Sequence, residues 1–218
     1  MITPFGYSTI AKVGILSLVL FASAWVLPAA IALFSVGTGI FLLVFTLQFF
    51  RDPERIPPKT DRVILSPADG TVVLIQEIAH DFFAGPAKQI SIFMSPLDVH
   101  VNRNPISGKI THLRYISGEY LVAFQHDSSE RNERTEIGIE NEHIKVFFKQ
   151  IAGYVARRIV CNLQLGDTVK IGERFGMIKF GSRVDVLLPM SVQLRVQQGQ
   201  HVKAGETILA EYGGSEEG

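Results

Sequence analysis

Residues 166–173 read Gly-Asp-Thr-Val-Lys-Ile-Gly-Glu, and residues 199–206 read Gly-Gln-His-Val-Lys-Ala-Gly-Glu. The pattern Gly-x-x-Val-x-x-Gly-Glu therefore occurs twice, 33 residues apart, and an apolar stretch follows each copy. Glycine permits the tight turns that join short strands because it lacks a Cβ atom. Two copies in the same phase are much stronger evidence than one. We expect two related turns within one β-rich domain.

A second pair of similar segments supports this expectation. Pro-Ala-Asp-Gly at 67–70 and Pro-Ile-Ser-Gly at 105–108 each open a strand pattern with Val or Ile. Five short runs rich in Val, Ile and Phe are predicted strands: 71–75, 89–94, 109–115, 144–148 and 184–188. The predicted fold class is mainly β. The pattern resembles the barrel-sandwich fold of biotinyl and lipoyl carrier domains, although the hairpin turns of another small β-barrel would give the same spacing.

The first 50 residues differ in composition from the rest of the chain. The whole sequence is 47% hydrophobic and 19% charged, but residues 1–50 contain one charge, Lys12. One continuous helix over 13–50 would measure about 57 Å, whereas the bilayer core is about 30 Å thick. Pro28, near the middle, disfavours such a helix. We predict an N-terminal helical hairpin, transmembrane or re-entrant, over residues 1–50, with shallow, monotopic burial of the same hairpin as the competing interpretation.

Basic residues predict the orientation of this hairpin. They flank it on both sides: Lys12, Arg51, Arg55, Lys59 and Arg62. Because basic loops stay inside, both ends and the following domain are expected on the cytoplasmic face of the cell membrane. Several prolines make 51–62 a stiff linker. The remaining residues, 63–218, form the predicted soluble domain.

Charge and cysteine content exclude several functions. The net charge is zero, so the chain lacks the basic field typical of nucleic-acid-binding proteins. Cys161 is the single cysteine, which excludes an intrachain disulfide and a cysteine metal cluster. No metal site is predicted. Any chemistry must come from other residues.

Gly181 and Ser182 form a doublet between two apolar strand patterns. Such a doublet is ordinarily a turn, but here it would sit in a bend inside the domain, where strained backbone can be held. Attack of the Ser182 hydroxyl on the Gly181 carbonyl would convert the peptide bond to an ester. Loss of the Ser182 α-proton would then split the chain and leave dehydroalanine, which hydrolyses to a pyruvoyl group.

Four stretches together resemble the phosphatidylserine decarboxylase proenzyme family, in its short bacterial and archaeal form with an N-terminal hairpin. They are Ser-Pro-Ala-Asp-Gly at 66–70, Phe-Met-Ser-Pro-Leu-Asp-Val-His at 93–100, Arg-Asn-Glu-Arg-Thr at 131–135, and Phe-Gly-Met-Ile-Lys-Phe-Gly-Ser at 175–182. Their order and spacing cover nearly the whole soluble domain. The combination is highly specific.

This resemblance implies self-cleavage between Gly181 and Ser182, giving a β chain, 1–181, and an α chain, 182–218, that remain together as a heterodimer, alone or in a higher oligomer. Ser182 would become a covalent pyruvoyl cofactor. A Schiff base between this group and the substrate amine would allow phosphatidylserine to lose CO2 and become phosphatidylethanolamine, since the pyruvoyl group accepts the released electrons.

The resemblance also implies an acid or base near the cleavage site. His100 is the candidate, because imidazole exchanges protons near neutral pH, and Asp69 matches the family's acidic residue that orients it. Many longer relatives have a second histidine where this chain has Arg103. Either His100 serves both steps, or His126 or His143 approaches from elsewhere. Arg103 would alternatively bind the substrate carboxylate or phosphate.

The hairpin suits a substrate held in the bilayer, and linker cations would attract anionic lipid. Phe82 and Phe83 are candidates for contact with the interface or for the core, whereas His112 is expected to be structural. Two alternatives remain open. The first is the same chemistry on archaetidylserine, and the second is a non-catalytic membrane-anchored carrier or adaptor.

Overall fold

The computed structural model describes residues 1–118, 132–153, 158–179 and 182–213. It divides into two compact units, Met1–Glu54 and Arg55–Gly218. The boundary falls inside the segment predicted as a linker. The two units are described separately below.

The N-terminal unit is a pair of helices, α1 (Tyr7–Ser23) and α2 (Ala29–Phe49), preceded by a 3₁₀ turn at Pro4–Gly6. Pro28 is the residue that caps α2, as expected for a proline that cannot continue a helix. The span Pro4–Ser23, which combines the 3₁₀ turn with α1, and the span Ala29–Phe49 of α2 are each long and apolar enough to cross a membrane. Lys12 lies inside α1 rather than before it, and its long aliphatic stem is compatible with an apolar helix surface.

Small and hydroxyl-bearing residues join the two helices. The Ser17 hydroxyl donates to the Gly39 carbonyl over 3.1 Å, and the Ser23 and Ser35 hydroxyls lie 2.8 Å apart. A Cβ atom on Gly39 would lie 2.6 Å from the Phe21 ring, so a larger residue at 39 would force this ring to shift. Small residues and interhelical hydrogen bonds are typical of helix packing in membranes.

The second unit is mainly β, as predicted. Its strands are β1 (Val63–Leu65), β2 (Gly70–His80), β3 (Gly85–Met94), β4 (Val101–Arg103), β5 (Gly108–Ile116), β6 (Arg134–Glu140), β7 (Lys145–Ala152), β8 (Arg158–Cys161), β9 (Thr168–Val169), β10 (Arg174–Lys179), β11 (Ser182–Pro189), β12 (Gln193–Leu194), β13 (His201–Val202) and β14 (Ile208–Glu211). A 3₁₀ turn covers Asp81–Phe83. All five predicted strand segments lie within or overlap these strands.

Eight strands form a curled, half-barrel sheet in the order β13-β2-β3-β11-β7-β6-β5-β9. Two three-stranded sheets, β1-β14-β12 and β4-β10-β8, complete the unit. Alternate residues of β11, namely Val184, Val186 and Leu188, point into the main core, as the two-residue strand period requires. The likeness to biotinyl and lipoyl domains stays a prediction.

The sequence repeat corresponds to a repeated structure. Val169 pairs with Gly108 between β9 and β5, and Val202 pairs with Gly70 between β13 and β2. The first glycine of each copy donates its N–H to the second residue after the paired glycine: Gly166 to Ile110, and Gly199 to Val72. All four glycines of the repeats have positive φ, between 71° and 93°. The glycines are therefore required by the backbone of two equivalent turns.

Candidate functional site

The backbone of Ser182 begins β11, an internal strand of the main sheet. It pairs with Met94 on β3 and with Ala152 on β7. Gly181, its predicted cleavage partner, lies outside the described residues. The predicted cleavage point is thus at the entry to a strand that neighbours hold on both sides.

Three other family-like stretches converge on this point. Met94 belongs to the 93–100 stretch, and the neighbouring Phe93 pairs with Thr71, directly after the 66–70 stretch. Asn132 donates from Nδ2 to the Ala152 carbonyl over 2.7 Å, while Ala152 donates its N–H to the Glu133 carbonyl over 2.9 Å. The fold therefore gathers stretches that are up to 116 positions apart in the sequence.

His100 lies beside the strand that leads to the cleavage point. It directly precedes β4, and Val101 of β4 pairs with Met177 of β10. The His100 side chain is fully buried, and its Nδ1 is 2.9 Å from the Asp98 carbonyl oxygen. A carbonyl can only accept, so this contact requires the proton on Nδ1. In the neutral ring, Nε2 is then the nitrogen that takes up a proton.

Asp69 is buried and has two firm contacts. Its Oδ1 accepts the N–H of Ala204 over 2.7 Å, and its Oδ2 lies 2.8 Å from Nη2 of Arg55. Arg55 also donates from Nη1 to Glu206 over 2.7 Å. Burial raises the pKa of Asp69, whereas the Ala204 hydrogen bond and Arg55 lower it. The Asp98 charge also contributes to raising it, which places Asp69 in the same electrostatic neighbourhood as the 93–100 stretch.

One of the two Asp69 contacts has a counterpart in the other half of the repeat. Ser107 occupies the position in 105–108 that Asp69 has in 67–70, and its hydroxyl accepts the N–H of Ile171 over 2.9 Å. Ile171 corresponds to Ala204 in the Gly-x-x-Val repeat. The backbone contact of Asp69 is therefore a turn contact common to both halves. Of Asp69 and Ser107, only Asp69 forms an ion pair, and its partner is Arg55.

Arg103 occupies a structural position. It is 4% exposed, and its Nη1 donates to the Gly172 carbonyl over 3.0 Å. A Cβ atom on Gly205 would lie 2.8 Å from Cδ of Arg103. Arg103 thus packs against the second glycines of both repeats, which favours support of these turns over binding of a substrate anion.

The other histidines considered as bases are differently placed. His143 is exposed in the turn between β6 and β7, at the opposite end of β7 from Ala152, which is about 23 Å along a strand of this length. His126 lies outside the described residues. His112 packs on Phe147 with ring centroids 5.4 Å apart, in agreement with a structural role.

The aromatic pair considered for membrane contact belongs to the same cluster. The Phe82 ring lies 5.1 Å from the Phe147 ring, and a Cβ atom on Gly138 would lie 2.6 Å from Phe82. Neither Phe82 nor Phe83 is among the exposed large apolar residues. Packing on the sheet, rather than exposure, is the role that these contacts support.

Three polar features near the site were missed in the sequence. His201 lies with Nε2 3.6 Å from Oδ1 of Asp98, and nothing in its glycine-turn context indicated this. Asn102 accepts a 2.9 Å hydrogen bond from the buried Gln150. Arg183 and Asp185 form a buried ion pair with a 2.6 Å contact. The alternation of Arg183 and Asp185 with valines on an apolar strand could have indicated this pair in the sequence.

Among the described residues, no group of three or more His, Cys, Asp or Glu side chains is arranged to hold a metal ion.

Comparison with known proteins agrees with this arrangement. The family model described as phosphatidylserine decarboxylase matches residues 42–210. A phosphatidylserine decarboxylase proenzyme of Pelodictyon phaeoclathratiforme is 53% identical over 214 residues, covering 97% of this chain and 100% of the relative. Proenzymes of the same name from Chlorobium chlorochromatii and Chlorobium limicola are 51% and 48% identical, with the same coverage of both chains. The chain belongs to the phosphatidylserine decarboxylase family.

Proposed function

We propose that this protein decarboxylates phosphatidylserine to phosphatidylethanolamine and CO2 after cutting itself between Gly181 and Ser182. The observation that carries the proposal is the convergence of the family-like stretches on the backbone of Ser182, through its pairing with Met94 and Ala152. Relatives named as proenzymes of this activity match the chain over its whole soluble part. None of the relatives named above is a carrier or an adaptor.

The cleavage is proposed to begin with the Ser182 hydroxyl. Its oxygen attacks the Gly181 carbonyl carbon, the peptide C–N bond breaks, and Gly181 becomes esterified to the Ser182 side chain. Removal of the Ser182 α-proton expels the Gly181 carboxylate and leaves dehydroalanine at position 182. Addition of water and loss of ammonia then give the pyruvoyl end of the α chain, 182–218.

The fold supports a stable pair of chains after this cut. Every described strand of the proposed α chain has a neighbour, and three of them pair directly with the β chain. β11 lies between β3 and β7, β13 pairs with β2, and β14 pairs with β1. The α chain is therefore interleaved with the β chain, and the cut would leave one folded heterodimer.

The position of Ser182 fits a covalent group formed there. As the first residue of an internal strand, it has backbone neighbours on both sides that would fix the new chain end. When present, the pyruvoyl group supplies the electron sink for loss of CO2 from the serine head group. Precise placement of such a group is what the protein contributes to cofactor chemistry.

His100 is proposed to move the protons. The Asp98 carbonyl holds Nδ1, so Nε2 is the basic atom of the neutral ring. This nitrogen is proposed to remove the Ser182 α-proton during cleavage and to return a proton to the substrate carbon after CO2 leaves. Asp69 is proposed as the acidic residue that works with His100. Burial raises the pKa of its carboxyl group, and the ion pair with Arg55 lowers it.

The two apolar helices are proposed to anchor the enzyme where its lipid substrate is. Arg51, Lys59 and Arg62 remain as the basic residues that predict a cytoplasmic catalytic unit. Arg55 contributes less to such an argument, because its side chain is 9% exposed and is paired with Asp69 and Glu206.

Release of CO2 from phosphatidylserine labelled at the serine carboxyl carbon tests the proposed activity. Full-length protein should release label, and Ser182→Ala protein should release none. Parallel reactions with archaetidylserine would show whether ether-linked chains are also accepted. Equal release by the wild type and Ser182→Ala protein would contradict the proposal.

A further inference from the structure

An apolar groove opens beside β5, β6 and β8. It has a volume of about 210 Å³ and is lined by Leu113, Tyr115, Thr135, Ile159, Cys161 and Leu163. Four of these residues also pack against the main core. No lining residue is charged, so the groove is chemically unsuited to a phosphate or carboxylate.

Strand register connects this groove to the proposed cleavage point. Thr135 pairs with Gln150, and Gln150 pairs with Val184. Directly paired residues point to the same face of a sheet, and Val184 points into the core. Ala152, the backbone partner of Ser182, also belongs to this core, so the groove lies on the same face of the sheet as the side chain that pairs with the proposed cleavage point.

A second contact joins the groove to the 131–135 stretch. Tyr115, one of the lining residues, is 60% exposed, and desolvation together with the neighbouring Glu133 carboxylate raises the pKa of its hydroxyl. Glu133 is also the residue whose carbonyl accepts the N–H of Ala152, the partner of Ser182. Tyr115 therefore lies next to the stretch that contacts the strand partner of Ser182.

Strand geometry gives the distance between the groove and the proposed reaction point. Two residues along a strand and two steps between strands place Thr135 about 12 Å from Ser182. In phosphatidylserine, about nine covalent bonds separate the amine nitrogen from the first acyl carbonyl carbon, or roughly 11 Å when extended. An amine at position 182 would thus bring an acyl chain to the edge of this groove.

We infer that the groove binds the first carbons of one acyl chain of the phospholipid substrate. This inference rests on the proposed function and adds a determinant of substrate specificity to it. An uncharged, partly core-lined channel stabilises methylene groups by removing them from water. Each methylene that enters contributes up to about fourfold in affinity.

Cys161 provides a variant that fills the groove. Cys161→Trp places a bulky ring in the lining of the groove. Leu165→Trp adds the same ring at a residue that is 68% exposed and does not line the groove. Full-length, self-processed proteins would be compared in one detergent. Substrates would be phosphatidylserines with butanoyl, hexanoyl and octanoyl chains. Because the detergent is the same, each substrate partitions into micelles to the same extent for every protein.

In the wild type and Leu165→Trp proteins, kcat/KM should rise with chain length. In Cys161→Trp, the rise should flatten, with at least a tenfold loss on the octanoyl relative to the butanoyl substrate. An equal slope in all three proteins would overturn the inference. Absence of CO2 from every substrate in the wild type would instead overturn the proposed function, so the two failures are distinguishable.

Chemical modification gives an independent readout. Cys161 is the only cysteine of the chain, so N-ethylmaleimide labels one position, and alkaline conditions are needed because burial raises the pKa of its thiol. Labelled wild-type protein should show the flattened chain-length slope of Cys161→Trp. Cys161→Ser protein treated in the same way should keep its slope. Loss of slope in treated Cys161→Ser protein would contradict a groove at this residue.

Discussion

Arg183 donates from Nε to Oδ1 of Asp185 over 2.6 Å, with the two side chains only 3% and 2% exposed. They lie two residues apart on β11, and therefore on the same face of the sheet. Arg183 also donates from Nη2 to the Ser91 hydroxyl on β3 over 2.8 Å. This buried pair ties β11 to its neighbour immediately after the proposed cleavage point.

Replacing one member of the pair should destabilise the fold. Asp185→Ala is expected to lower the free energy of unfolding by about 3–5 kcal/mol, because the Arg183 charge stays buried without its closest partner. Arg183→Met combined with Asp185→Leu should recover much of this loss, since apolar residues of similar size tolerate burial. Thermal unfolding of the three proteins in one detergent checks this. Equal losses in the single and double variants would show that the ion pair is not responsible.

His100 should be needed for chemistry rather than for folding. His100→Ala is expected to slow self-cleavage, decarboxylation or both by about 10²–10⁴-fold, the usual contribution of a positioned acid or base. Rates of chain cleavage and CO2 release, measured separately, show which steps it serves. His143→Ala is the matched control, because His143 is exposed at the far end of β7. If neither step slows in His100→Ala, His100 is not the base.

Asp69 should give stability a definite pH dependence. Burial raises its pKa above the ordinary value of 3.8, against opposing effects of Ala204 and Arg55. The native state then holds the proton more tightly than the unfolded chain, so this stabilisation is fully present below about 3.8 and is lost as pH rises through the folded pKa. As pH rises from about 3.8 through the folded-state pKa of Asp69, wild-type protein should lose stability relative to Asp69→Asn protein. Melting temperatures of both proteins across the interval check the sign, and a relative gain by the wild type would contradict it.

The second glycine of the first repeat should tolerate alanine less well than the first glycine. Both have positive φ, 93° for Gly166 and 77° for Gly172, so alanine at either is strained by about 1–2 kcal/mol. A Cβ atom at 172 would also lie 2.5 Å from Pro57, whereas one at 166 meets nothing within 4 Å. Gly172→Ala should therefore be about 1–3 kcal/mol less stable than Gly166→Ala. Equal unfolding free energies would show that the Pro57 contact is easily relieved.

Local sequence patterns predicted much of this fold, because glycine and proline act directly on the backbone conformation at their own positions. The glycine repeats required turns with positive φ, and the structure has two such turns at equivalent places. Pro28 predicted the break between α1 and α2. The start of α1 was less predictable, because Lys12 lies within the helix and a single long charged side chain does not end one.

Contacts between distant residues could not be read in the same way. The ion pair of Arg55 with Asp69 depends on a segment predicted as a stiff linker. The approach of His201 to Asp98 depends on the pairing of β13 with β2. Arg103 was a candidate anion ligand in sequence, and only the packing of both glycine turns shows its buried position. Such features follow from strand order, which the sequence pattern does not specify.

The mass of the purified, denatured full-length protein tests the central claim most directly. The account predicts two chains, 1–181 and 182–218, the smaller beginning with a pyruvoyl group in place of Ser182 and resistant to stepwise N-terminal degradation. Ser182→Ala protein should give one chain. A single wild-type chain in which the bond between Gly181 and Ser182 is intact would contradict the account.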